Sequence, residues 1–512
     1  MSLEIEMVVR NKEELTAIDS VVPLDSRPKE QMREQDEMDN KPLLAYEKPI
    51  EYYNSKSEGI GVFVVSMLIV ADIAGGGIVA LPMAFVKAGV VFGSCVMFVV
   101  AISFLYTAHL LADSYCRMRR RWPIYRRYCR QPYPEMAHRA FGRSFYQITS
   151  LVLNLMLFGV SVVYLLLSAK IISDLALSAL NLKIGECRTI VLLSLIFWPI
   201  IFFRSPSDFW FVVVIAMIST LLATGMILLG AILDHPACGP AAQIPPFNLS
   251  DSILSLGVFM FSFGGHSVFP LIMQDMRQPK NFTRSAVLAF IVVCTLYVSI
   301  TIFGVWTYGN SLTDTIITSI QSPHLRQYAN LGIAIHCLLT LTITLNPLCQ
   351  ELEHALDVPH EFCFKRLFIR SALLFAVVFT SLSFPSFGVI LNLIGGTTVA
   401  LTSAVLPCVF NLSLRATEHG NPVEKYTWME LIRLIFNRTS SWRLAINGFI
   451  IIFATICGIA TTKSALKEIA VSSFSPPCYY SSTVLELPTS QFVHCCGPFK
   501  NISSTISGVC HT

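Results

Sequence analysis

Charge is what this sequence has little of. Only 14% of its 512 residues are Asp, Glu, Lys or Arg, while 54% are hydrophobic; a soluble chain carries roughly 25% charged residues. A chain so poor in charge cannot present its whole surface to water, so much of it faces something else. A leading apolar run is also lacking. The first such run begins near Gly59, behind an acidic, proline-containing tail, so no cleavable signal peptide is expected and that run should act as an uncleaved anchor. No His/Cys/Asp cluster or nucleophile constellation stands outside the apolar runs, which argues against an enzyme and against a metal centre. No cofactor and no nucleic-acid partner is expected. No apolar run carries more than one or two ionisable groups, which disfavours a continuous polar pore.

What is present is a series of apolar runs long enough to cross a bilayer, at roughly 20 residues per ~30 Å of hydrocarbon. They fall near 59–84, 89–112, 146–174, 188–203, 209–233, 252–273, 285–308, 327–348, 367–384, 386–410 and 442–462. The expectation is an all-α polytopic membrane protein of about eleven spans. Residues 1–56 read as a disordered cytoplasmic tail, 57–465 as the membrane domain, and 466–512 as an extracytoplasmic, cysteine-containing tail. Basic residues set the orientation. Nine arginines lie between Arg117 and Arg143, and the loops after the sixth, eighth and tenth runs are also basic. The alternate loops are poor, with no Lys or Arg in 234–251. Even-numbered runs should therefore end inside, the N-terminus being cytoplasmic and the C-terminus extracytoplasmic.

Cysteines and sequons bear on the same topology. Cys187 and Cys238 fall in successive outside loops, with Cys478, Cys495, Cys496 and Cys510 in the outside tail. A Cys187–Cys238 disulfide is expected, with two more bridges available to the tail; free thiols are the alternative. Asn501, in Asn-Ile-Ser, is the candidate glycosylation site. In the N-terminal tail Asp39, Leu43 and Leu44 match an acidic dileucine signal, which a sorting adaptor would read for endosomes or lysosomes; the plasma membrane is the other destination.

Two runs are interrupted at mid-depth. The first reads Asp72-Ile-Ala-Gly75-Gly76-Gly77 and then Pro82; the sixth reads Ser262-Phe-Gly264-Gly265-His266 and then Pro270. Each glycine costs about 1 kcal/mol against alanine in a helix, and proline removes a donor. Unwound backbone at membrane depth survives only where it lines a protein-bounded cavity. These runs open two successive five-run blocks, 59–233 and 252–410. An odd block size makes the blocks run in opposite senses, and matched interruptions of inverted repeats mark a transporter's midplane site. Close helix packing by small residues is the alternative.

Ionisable groups at depth are few. Asp72, one turn before the first break, reads as a cation ligand or a proton-titrating group. His266 can hydrogen-bond substrate, relay a proton or cap a half-helix. Thr340 and Thr344, in the eighth run, can ligate a small hard cation or bond their own helix. His336, Lys170 and His109 read as packed or snorkelling groups.

These residues resemble a known family. Phe261–Phe282 (FSFGGHSVFPLIMQDMRQPKNF) is similar to the sixth-span signature of the amino acid/auxin permease family, and Gly75–Gly89 (GGGIVALPMAFVKAG) to its first span. Phe384–Phe410 resembles its tenth span and Tyr133–Gly142 (YPEMAHRAFG) the loop before its third, in the right order over about 57–465. The resemblance implies the LeuT-like 5+5 inverted-repeat fold of the amino acid–polyamine–organocation superfamily. It further implies small neutral amino acids as substrate, moved by symport with H+ or Na+. It assigns Gly75, Gly76, Gly77, Ser262, Gly264 and Gly265 to the substrate's carboxylate and amino groups. Thr340 would match a sodium-site threonine, but sodium-coupled members carry asparagine where this chain has Asp72, which favours a proton. An amino acid sensor or channel on the same fold is the rival function.

Overall fold

The computed structural model describes residues 59–126, 129–202, 210–356, 358, 363–418, 426–471 and 477–479. Among them the chain is helical throughout; the one extended pairing is an isolated bridge between Ile60 and Met276. Helix is what apolar sequence must form where no water can satisfy the backbone. The order is α1 (Val62–Ile73), α2 (Gly76–Ala88), α3 (Val90–Arg121), α4 (Pro132–Phe141), α5 (Arg143–Leu180), α6 (Glu186–Ile200), α7 (Trp210–Cys238) and α8 (Leu249–Ser262). There follow α9 (Phe269–Asp275), α10 (Phe282–Tyr308), α11 (Pro323–Ala355), α12 (Phe364–Ser383), α13 (Phe387–Ile394), α14 (Leu406–Ala416), α15 (Trp428–Arg438) and α16 (Ser441–Val471). Two π-helical turns, Gly395–Val399 and Leu401–Val405, join α13 to α14.

Among the described residues eight continuous helical stretches are long and apolar enough to cross a membrane, and α1 with α2 makes a ninth bent by 57° at its break. The bundle wears its hydrophobic residues on both sides. Phe98, Phe375 and Ile459 are each more than 60% exposed, whereas Val65, Ile69 and Phe263 are fully buried. An outward apolar belt of this kind suits lipid, not water. The core is drawn together by small residues. A Cβ on Gly257 would lie 2.7 Å from the Cα of Asn392, and one on Gly458 2.6 Å from the carbonyl of Gly396. The backbone of α8 and that of α16 therefore touch the π-turn region directly, as helices without a solvent-driven force between them do.

Apart from Asp72, the charges described next lie toward the bundle's ends and are paired. Glu353 on α11 accepts from Arg366 at 3.1 Å and from the fully buried Arg370 at 2.5 Å, and Arg370 also donates to the carbonyl of Ile201. At the opposite end Lys170 of α5 lies 3.5 Å from Asp314, whose carboxyl is held below its ordinary range chiefly by that ammonium group. Lys170 is thus an ion-pair partner rather than a snorkelling side chain.

The expected Cys187–Cys238 bridge is not formed. Cys187 is bonded to Cys478, 291 residues away, with Cα atoms 5.7 Å apart. The reason lies in how residues 477–479 fold back. Cys478 donates its N–H to Leu382 at 2.8 Å and Tyr479 stacks on Phe379, both on α12. Since α12 packs against α6, Cys478 arrives at the first turn of α6, where Cys187 stands. Asp39, Leu43, Leu44, Asn501, Cys495, Cys496 and Cys510 lie outside the described residues. Peptide mapping of unreduced protein should recover a Cys187–Cys478 cross-linked pair; a Cys187–Cys238 pair in its place would contradict this arrangement.

Candidate functional site

The first break is made where the sequence offers least resistance. α1 closes with Ala74 donating to Val70, and Gly75 then turns to φ −116°, ψ −130° before α2 begins at Gly76. Carbonyls of α1's last turn and N–H groups of α2's first turn lose their helical partners there. The second break runs from Phe263 to Val268, between the end of α8 and a seven-residue α9. Pro270 falls in the first turn of α9, where its missing N–H costs nothing.

The two breaks press on each other, and only glycine permits it. A Cβ on Gly77 would stand 2.7 Å from the Cα of Ser262. One on Gly265 would stand 2.5 Å from Asp72 Oδ2 and 3.1 Å from Ile73 Cγ1. On the far side of the first break a Cβ on Gly75 would meet Tyr164 Oη at 2.5 Å and His336 Nε2 at 2.8 Å. Gly76 faces Leu167, and Gly264 faces Val399. The walls of the site are therefore the two broken pairs, with α5 and α11 behind the first.

One hydroxyl bridges both breaks. Tyr297 Oη, from α10, lies 2.9 Å from the carbonyl of Ile73 and 2.8 Å from that of Ser262. These carbonyls belong to the last turns of α1 and α8. The ring is fully buried and meets Phe263 edge-on at 5.2 Å. A phenol has a single proton, so the two carbonyls share it, and the Ile73 carbonyl also accepts from the N–H of Gly75 at 2.9 Å.

The residues singled out from sequence separate into two sets. Asp72, Gly75, Gly77, Ser262 and Gly265 converge, and Asp72 Oδ2 has no hydrogen-bond partner among the described residues. His266 does not face this space. It is fully buried with Nε2 2.9 Å from the carbonyl of Phe104 and 3.0 Å from Thr107 Oγ1, its ring set between Phe104 and Phe269. It ties the second break to α3. Thr340 donates to the carbonyl of His336 at 2.8 Å, and Thr344 to that of Leu341 at 3.1 Å while meeting Ser161 Oγ at 3.2 Å. Both hydroxyls thus serve their own helix, the commoner fate. His336, read from sequence as a packed histidine, is packed, with Nδ1 3.3 Å from the carbonyl of Ala216, yet it also borders Gly75.

Tyr164 and Tyr297 were not singled out from sequence. A signal existed, because a tyrosine deep in an apolar helix needs a partner for its hydroxyl; which partner could not be read. The assembled site brings together the first turn of α2, whose Gly76 N–H meets the Tyr164 hydroxyl, the carbonyls of Ile73 and Ser262, and one carboxylate, Asp72. Among the described residues no group of three or more His, Cys, Asp or Glu could hold a metal ion.

This geometry can be set beside known proteins. A family profile described as "Transmembrane amino acid transporter protein" matches residues 58–436. The chain is 25% identical over 413 residues to "Amino acid transporter AVT1B" of Arabidopsis thaliana, a match spanning 78% of this chain and 69% of that relative. It is 23% identical over 352 residues to "Amino acid transporter AVT1D" of the same plant, 66% of this chain and 59% of that one. Its fold is similar to that of a solved manganese transporter from Eremococcus coleocola, with TM-score 0.53 at 13% identity over 83% of this chain and 92% of the other.

Removing the bridging hydroxyl tests the site's architecture. Tyr297→Phe leaves two buried carbonyls without their shared donor and should destabilise the protein by roughly 1–3 kcal/mol. Tyr328→Phe, at an exposed position, should fall within about 0.5 kcal/mol of the parent. Thermal unfolding of both variants in detergent reads the difference; equal melting would remove Tyr297 from this role.

Proposed function

This chain belongs to the transmembrane amino acid transporter protein family, and from that premise we propose that it is a secondary active transporter that moves small neutral amino acids by alternating access. The observation that carries the reading is the meeting of the two breaks. Gly77 abuts Ser262 and Gly265 abuts Asp72 and Ile73, Tyr297 bridges the carbonyls of Ile73 and Ser262, and Asp72 Oδ2 has no partner among the described residues. In this proposal Gly75–Gly77 and Ser262, Gly264 and Gly265 cradle the substrate's carboxylate and amino groups. The fold is a 5+5 inverted repeat of eleven spans. Its first block is α1–α2, α3, α5, α6 and α7; its second is α8–α9, α10, α11, α12 and α13–α14; α16 is the eleventh span. The element holding α1–α2 and α8–α9 rocks against the rest around the fixed site.

The coupling ion is a proton, taken by Asp72. A buried carboxylate without a partner is costly, and either a proton or a cation would answer it. Binding that favours one orientation then links the gradient to the transport cycle. Sodium held with help from Thr340 and Thr344 is the alternative outcome of the same experiment. The N-terminal tail is cytoplasmic and the C-terminal tail, with Asn501 glycosylated, extracytoplasmic. Asp39, Leu43 and Leu44 direct the chain to endosomal or lysosomal membranes through a sorting adaptor, the plasma membrane being its destination without that signal.

The test is uptake of each amino acid into proteoliposomes at acidic and neutral pH, with and without sodium. Transport should follow the pH gradient, and Asp72→Asn should abolish that dependence while folding stays near normal. Unchanged pH dependence in the variant would remove Asp72 from coupling. Gly265→Leu should bring uptake to background without loss of surface expression. Labelled substrate that fails to exchange in counterflow would point to a sensor and end the transporter reading.

A further inference from the structure

A second constellation of charge lies far from the midplane, where the arginine-bearing end of α3 meets the end of α14. A cleft of ≈ 340 Å³ there is lined by Arg117, Arg415, Glu418 and Arg438, three guanidinium groups to one carboxylate. The surrounding bonds do not restore the balance. Asp113 accepts from Arg117 at 2.9 Å and lies 3.5 Å from Arg415. Glu418 accepts from Arg117 and, at 2.6 Å, from Arg120. Arg438 donates to the carbonyl of Ala416 at 3.1 Å and meets no carboxylate among the described residues. Among the described residues four arginines thus face two acids, a surplus of two positive charges. These groups are only partly open to water: the side chains of Arg117, Glu418 and Arg415 are 13%, 22% and 26% exposed. Partly buried charges are screened less by salt than those on an open surface.

The cleft's depth relative to a membrane can also be read. Arg438 closes α15, a helix started by a Thr427–Glu430 capping box. Its Trp428, Met429, Ile432 and Phe436 are all exposed, and Trp428 is anchored by stacking on Phe141 at 5.9 Å. Bare apolar side chains beside guanidinium groups describe a helix lying in the membrane interface. Phosphate groups of lipids lie at that level. A guanidinium fork matches phosphate oxygens in pairs, which an ammonium group does not.

We propose that this cleft binds a phosphate-bearing anion, held by Arg117, Arg415 and Arg438, which displaces Glu418 from Arg117. Glu418 is the resident competitor for the site. The same chemistry comes either from a phosphorylated lipid headgroup or from free phosphate compounds, and the bound anion ties α3 to α14 and α15.

The full-length protein in phosphatidylcholine nanodiscs supplies the test, with two probes. One is inorganic pyrophosphate, titrated by calorimetry; the other is a bisphosphorylated phosphoinositide added to the nanodisc, read by thermal stability. Binding of either probe, weakening with salt, is the expected result, and pyrophosphate alone or the lipid alone identifies the source. Arg415→Gln and Arg438→Gln should each weaken binding about tenfold, the worth of one charged hydrogen bond. Glu418→Gln frees Arg117 and Arg120 and should tighten it by a similar factor, a gain that a misfolded protein cannot mimic. Arg433→Gln, on α15 but outside the cleft, should leave affinity unchanged. The proposal is overturned if neither probe binds, if Glu418→Gln binds no tighter, or if Arg433→Gln weakens binding as much as Arg438→Gln.

Discussion

A backbone carbonyl or N–H in hydrocarbon has no water to turn to, and the middle of this molecule is organised around that constraint. Two helices are interrupted at mid-depth, and each interruption releases polar groups that would cost several kcal/mol apiece if left alone. The interruptions are therefore brought face to face and closed over by neighbouring helices. Tyr297 reaches from α10 to the carbonyls of Ile73 and Ser262 together, so a single hydroxyl holds the last turns of α1 and α8 in register. His266 anchors the second interruption to α3 through Phe104 and Thr107. The released groups are thus answered by the other interruption and by side chains from α10 and α3.

The same economy governs charge. Within the bundle Asp72 is the conspicuous acid, and its Oδ2 stands against Gly265 with no partner among the described residues. Toward the ends, charges are numerous and cross-linked: Glu353 with Arg366 and Arg370, Asp113 and Glu418 with several arginines, Lys170 with Asp314. Buried pairs of this kind stabilise little relative to apolar packing but fix which helix ends meet. Among the described residues arginines outnumber acids where the end of α3 meets the end of α14.

Much of this was legible beforehand. Apolar runs and their punctuation predict where helices start, down to the turn at Phe384–Ser386 that separates α12 from α13, but α3 and α16 run on to Arg121 and Val471, past the expected ends at 112 and 462. The glycine clusters mark both interruptions, because no other residue lets backbones approach as Gly77 does to Ser262. Reading by residue type alone was less successful where a side chain had several partners open to it. His266, beside the second interruption, and Thr344, in the eighth run, are both polar, yet spend their hydrogen bonds on α3 and on α5 with α11 itself. Lys170 looked like a snorkelling group and His336 like a packed one; the second is packed, but the partner of each stands more than a hundred positions away, Asp314 and Ala216. α15 escaped notice because its short amphipathic run is too polar to resemble a span.

The sequence by itself determined the class of molecule, the positions of its helices and the two places where they break. These depend on local physics: transfer of each run into hydrocarbon, and the backbone freedom of glycine. Only the tertiary structure decided which breaks touch, that Tyr297 bridges them, that Asp72 meets Gly265, and that Cys187 pairs with Cys478 instead of Cys238. Each of those joins residues far apart in the chain. A side chain's hydrogen-bonding capacity is written in its type, but its partner is set by how whole helices pack.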